Sequence, residues 1–114
     1  MTITSIKGTN IELTDAIKAY VTDKLEVIEK LTQDFEPAVE LDAEVGKTTT
    51  HHNKGPFFFA ELNMRVPGEV LRAVKETEDL YEAIDLVKDD LRRQVKEYKD
   101  RLSDAHRGPR PDKV

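Results

Sequence analysis

The sequence predicts an α+β domain with the element order β-α-β-β-β-α, a four-stranded sheet carrying both helices on one face. Two long segments repeat apolar residues every three or four positions, as amphipathic helices do. Two shorter segments alternate apolar and polar residues strictly, and a Pro-Gly pair turns the second of them into a return strand. Each strand then has one apolar face and each helix one apolar stripe. Packing both stripes on the same sheet face buries them all and leaves the other face wet.

The first strand covers residues 2–7, and Gly8 and Asn10 signal a turn. Thr14 is suited to cap a helix, with Asp15 at its positive end. Ile17, Val21, Leu25, Ile28 and Leu31 then hold one helical face, with Tyr20 beside them, for about 17 residues. This helix ends before Glu36-Pro37, because proline disfavours a helical residue ahead of it. Val39, Leu41, Ala43 and Val45 alternate with Glu40, Asp42 and Glu44 in the second strand. Residues 46–56 form a polar loop. Phe58, Ala60, Leu62, Met64 and Val66 alternate in the third strand. Pro67 and Gly68 suit the two central positions of a turn, and residues 70–75 return as the fourth strand.

Asp79 with Glu82 three residues later reads as a capping box for the last helix. Leu80, Ile84, Val87, Leu91, Val95, Tyr98 and Leu102 keep one face apolar for more than twenty residues, a length of roughly 35 Å. Residues 1–102 thus make one folded domain. Residues 103–114, with Gly108, Pro109 and Pro111, read as a flexible tail.

Composition narrows the function. The chain has 114 residues and no cysteine, which excludes disulfides, thiolate metal sites and a cysteine nucleophile. No stretch approaches the ~20 apolar residues of a membrane span, and the start is too polar for a secretory signal. These features fit a soluble cytoplasmic protein. The formal net charge is −5, from 18 basic and 23 acidic side chains. It is unevenly spread: residues 1–87 hold 9 basic against 17 acidic, and residues 88–114 hold 9 against 6. Such a chain can meet a polyanion through one face while its bulk stays acidic.

At ~100° per residue, Lys88, Arg92, Lys96 and Lys99 fall within an arc of about 80° beside the apolar stripe of the last helix, with Arg93 and Arg101 outside it. A stripe of cations on a rigid helix can neutralise several phosphates. The plainer reading is a solvated helix laced with ion pairs, such as Glu97 with Arg101. His51-His52 lacks the further ligands a metal site needs and reads as an exposed loop pair, and His106 reads likewise. Phe57 and Phe59 lie out of phase with the buried set and suit packing near the sheet end better than base stacking. Glu40, Asp42 and Glu44 form a solvated acidic face. No phosphate loop or nucleophile motif is present, so nothing points to catalysis or to a cofactor.

Residues 78–102, EDLYEAIDLVKDDLRRQVKEYKDRL, resemble the signature helix of the ribosome hibernation-promoting and ribosome-associated inhibitor family, also known for sigma-factor modulation. Asp79, Tyr81, Ala83, Ile84, Asp85, Asp89, Leu91, Arg93, Gln94, Val95, Lys99 and Arg101 match its pattern. The stretch GTNIELTDAIKAYVTDKLEVIEK resembles the family's first turn and helix. The resemblance is to the short form, without the C-terminal domain through which long forms pair two ribosomes. It implies a fold similar to double-stranded-RNA-binding domains. It also implies a non-enzymatic translation inhibitor that docks in the mRNA and tRNA channel of the small ribosomal subunit, meets rRNA and stabilises inactive ribosomes under stress. Such a protein needs no cofactor, metal or small-molecule substrate, touches no membrane, and is a monomer off the ribosome. Lys24, Arg93, Lys99 and Arg101 match basic family positions, and the stripe adds Lys88, Arg92 and Lys96. The chain departs from the pattern at Asp23, Val27, Asp90 and Glu97, each a lost chance of a phosphate contact. A general RNA-binding module, or a protein–protein adaptor using the acidic sheet face, are the alternatives.

Overall fold

A computed structural model describes residues 1–48 and 57–107, with side chains through residue 104. Its elements are β1 (Thr2–Thr9), α1 (Asp15–Leu31), β2 (Glu40–Lys47), β3 (Phe58–Val66), β4 (Glu69–Thr77) and α2 (Leu80–Arg107). The element order is the expected β-α-β-β-β-α, and the sheet order is β1-β2-β3-β4. β1 and β2 are parallel, and the other neighbours are antiparallel. A parallel pair needs a crossover, and α1 supplies it.

The core follows the pleat. Leu41, Met64 and Leu71 stand in one row across β2, β3 and β4, and Ala43, Leu62 and Ala73 in the next; all are buried. Val21, Leu25 and Ile28 of α1 and Leu80, Ala83, Ile84, Val87, Leu91, Val95 and Tyr98 of α2 close over this face. Alanine at positions 43, 60 and 73 leaves room for the helices to approach. Tyr98 is buried, and its hydroxyl donates to the Pro67 carbonyl at 2.7 Å. That bond anchors α2 to the β3–β4 turn, where Gly68 takes φ 87°.

Several expected boundaries move. β1 continues through Gly8 to Thr9, and the turn begins at Asn10, whose φ is 59°. Ile3 and Ile6 both pack against the core although they are three positions apart, an odd spacing, because the pairing with β2 shifts between Ile3 and Ser5. This bulge hides the strand's period in the sequence. β4 runs two residues further than expected, to Thr77, because Phe58 offers it a partner. α2 runs five residues past position 102.

Three local expectations are corrected. The capping box at Asp79 is half made: its carboxylate accepts from the Tyr81 amide at 2.9 Å, but its own N–H donates to the Thr77 hydroxyl, not to Glu82. Thr77 is nearer and needs no long side chain to be ordered. Leu102 is 37% exposed, since the sheet beneath α2 has ended. Phe57 is exposed and Phe59 stands on the outer sheet face, so the aromatic packing belongs to Phe58 alone of the three.

Candidate nucleic-acid interface

α1 and α2 run parallel, because contacts climb both helices together. The Tyr20 hydroxyl donates to Asp85 at 2.8 Å, Lys24 lies 3.5 Å from the same carboxylate, and Lys99 meets the Leu31 carbonyl at 2.8 Å. The seam between the helices is where the cations gather. On α2, Lys88 and Lys99 are half-buried, while Arg92 and Lys96 are exposed to solvent. Lys24 and Lys88 line one small niche above Ala43 and Val45.

The seven predicted residues are therefore not equivalent. Arg92 and Lys96 are exposed, and among the described residues neither has a hydrogen-bond or ion-pair partner. Lys88 is held by Asp89 at 2.7 Å. Lys24 is shared between Asp85 and the face of Tyr20, 5.2 Å from the ring centre. Lys99 turns inward onto the end of α1 and Asp34. Arg93 lies off the seam, bonded to Asp90 at 2.6 Å and Glu97 at 2.9 Å. Arg101 reaches Glu69 at the start of β4. The expected Glu97–Arg101 pair is thus replaced by Glu97–Arg93. The i,i+4 spacing allows both, and Arg101 has a carboxylate across the fold.

The seam has a braced upper end. Tyr20 and Tyr81 meet edge to face, with ring centres 4.7 Å apart. The hydrogen bond to Asp85 raises the Tyr20 pKa above its ordinary value, so the phenol stays protonated as a donor. Asp85 thereby neutralises Lys24 and fixes Tyr20 at once. No signal local to either helix reveals this, since the partners are 65 residues apart.

From the sequence, Glu40, Asp42 and Glu44 make the outer sheet face acidic. The structure places Arg65 and Arg72 among the carboxylates. Arg65 binds Glu40 at 3.2 Å and Asp42 at 2.8 Å, and Arg72 binds Glu61 at 3.3 Å. Alternation on β3 and β4 puts both arginines on this face, which is the signal that could have found them. Asp42 also accepts from the Thr4 hydroxyl. Arg65 first, and then Thr4, hold the Asp42 carboxyl down to about 2 from an ordinary 3.8. The Asn63 amide and Arg72 likewise hold Glu61 below the usual carboxylate range.

A depressed carboxylate stabilises the fold fully above its unfolded pKa and loses that contribution as the pH falls toward its folded one. Asp42→Asn should therefore be less stable than the parent above about pH 4, with the gap closing between about pH 4 and pH 2. Urea unfolding at a series of pH values measures it. A gap as wide at the acid end as at neutrality would remove Asp42 as its source.

Among the described residues, no three or more histidines and carboxylates converge as metal ligands, and no helix is long and apolar enough to cross a membrane. His51, His52 and the side chain of His106 lie outside the described residues.

Comparison with known proteins gives the arrangement a lineage. Residues 4–103 match the family model described as sigma 54 modulation protein / S30EA ribosomal protein. The ribosome hibernation promotion factor of Lactococcus lactis subsp. cremoris is 35% identical over 107 residues, which are 94% of this chain and 55% of that protein. The factor of the same name from Picosynechococcus is 36% identical over 96 residues, 84% of this chain and 48% of that one. This chain spans about half the length of these relatives. The N-terminal domain of Thermus thermophilus Protein Y superposes with a TM-score of 0.70 at 34% identity, over 86% of this chain and 99% of that one. A ribosomal subunit interface protein from Coxiella burnetii shares the fold, with a TM-score of 0.67 at 19% identity over 87% and 98% of the two chains. The match runs from β1 into the last turns of α2 and so contains the whole helix seam: the chain belongs to the sigma 54 modulation protein / S30EA ribosomal protein family.

Proposed function

We propose that this chain binds the small ribosomal subunit through the α1–α2 seam and holds ribosomes inactive by occupying the channel of mRNA and tRNA. The observation that carries this reading is the pair of cations Arg92 and Lys96, exposed and without a partner among the described residues, on a seam that also holds Lys24 and Lys88. Cations without internal partners can exchange counterions for phosphates without breaking a bond in the fold. The relatives' names, ribosome hibernation promotion factor, support the target. The action is steric: a rigid domain fills space that ligands need, and no catalytic group or cofactor takes part. Such a protein works in the cytoplasm, where ribosomes are. The acidic remainder of the chain disfavours promiscuous RNA binding. On the outer face, Arg65 and Arg72 pair with Glu40, Asp42 and Glu61, which leaves a basic adaptor partner fewer free carboxylates there.

Sedimentation with purified ribosomes through a sucrose gradient tests the reading. The protein should travel with the small subunit or the whole ribosome, and mRNA with tRNA should displace it. Protein that stays at the top of the gradient at low salt would overturn the proposal. Co-migration that mRNA and tRNA leave unchanged would move the site out of the channel.

A further inference from the structure

The signature helix carries Lys99 as one of its basic positions, yet the structure gives this ammonium an internal task. It donates to the Leu31 carbonyl at 2.8 Å and lies 3.3 Å from the Asp34 carboxylate and 5.7 Å from the centre of the Phe35 ring. Leu31 is the last residue of α1, where carbonyls lack intrahelical partners and the helix dipole is negative. Phe35 in turn packs on Tyr98, with ring centres 5.8 Å apart, and Tyr98 is tied to Pro67. One line of contacts thus runs from the β3–β4 turn through α2 to the end of α1.

We infer that Lys99 is a positioning residue that closes the C-terminus of α1 onto α2 and so sets the width of the basic seam, while Arg92 and Lys96 meet phosphate. The second half of this rests on the ribosome-binding reading; the first does not. A Lys99 drawn out to a phosphate would leave the Leu31 carbonyl and Asp34 without their shared cation. Among the described residues, Arg92 and Lys96 have no such bond to lose. Thr32 is already served otherwise, its hydroxyl donating to Ile28 at 3.1 Å, so it offers Leu31 no replacement.

Lys99→Met keeps the aliphatic stem and removes the charge, and Lys96→Met does the same on the open side. Two readouts separate the roles. The first is amide exchange at Thr32 and Phe35, whose N–H groups close the end of α1. The second is the slope of log affinity for the small subunit against log salt. Lys99→Met should speed exchange there about tenfold, as loss of a charged hydrogen bond does, and leave the slope at the parent value. Lys96→Met should leave exchange alone and flatten the slope by about 0.7–0.9. Parent-like exchange in Lys99→Met, or a slope flattened as much as in Lys96→Met, would overturn the assignment. Should the parent itself fail to bind, the ribosome reading falls, and exchange alone still decides whether Lys99 holds α1.

Discussion

Gly46→Ala should destabilise the domain by about 3 kcal/mol or more, lowering the melting temperature by at least about 10 °C. Gly46 sits in β2 between Thr9 of β1 and Phe59 of β3. A Cβ added there would stand 2.0 Å from the Thr9 carbonyl oxygen and 2.9 Å from its carbon. Both are backbone atoms, so no side chain can swing aside, and relief requires β1 to leave its register. The strand has few other ties at this end: the Thr9 hydroxyl donates to Glu44 at 2.6 Å and the Asn10 amide to the Lys47 carbonyl at 3.3 Å. Amide exchange should therefore rise first across β1. Gly68→Ala makes the control. There a Cβ meets nothing within 4 Å, and only the φ of 87° resists it, so a loss nearer 1 kcal/mol is expected. Equal melting of Gly46→Ala and the parent would mean that β1 and β2 do not approach this closely.

Much of this fold could be read directly. Thr14 caps α1 through a 3.2 Å bond to the Ile17 amide, and the helix ends at Leu31, as the periodicity of its apolar residues requires. The alternating runs of β2 and β3 name their buried residues correctly, because one face of each strand has no other place to go. Gly46, by contrast, reads as the start of a polar loop. Its role depends on the distance to Thr9, 37 residues away, which no local pattern encodes. The same limit governs the site. The arc of Lys88, Arg92, Lys96 and Lys99 is a property of one helix and is legible in its sequence. Which side of that arc faces α1 depends on the crossover connection and the parallel packing of the helices. That packing turns Lys99 inward and leaves Lys96 outward, although both are lysines within one turn. Arg93 carries a signal of its own, carboxylates at i−3 and i+4, and these engage it in the structure.

Those placements give the second large effect. Arg92→Glu with Lys96→Glu should weaken binding to the small subunit on the order of 100-fold or more at moderate salt, with a clearly flatter salt dependence. The two residues lie about 40° apart on α2, so one phosphate-bearing surface faces both. Each reversal removes an attraction and sets a carboxylate in its place. Neither original side chain has a partner within the described fold, so unfolding should shift by no more than about 0.5 kcal/mol. Arg93→Glu supplies the comparison. It places a third carboxylate beside Asp90 and Glu97 and should lower stability slightly, through the loss of its two helical pairs. Its effect on binding should be much smaller, because it lies about 60° further round the helix from Lys96 and is already held by Asp90 and Glu97. The ratio between the two variants is more telling than either loss alone. A net-charge effect would scale with the number of charges reversed and give Arg93→Glu about half the logarithmic loss of the double variant. A seam that meets RNA directly gives it far less. Equal losses per charge would mean that the ribosome senses only the field of the protein, and the seam would lose its claim as the contact surface.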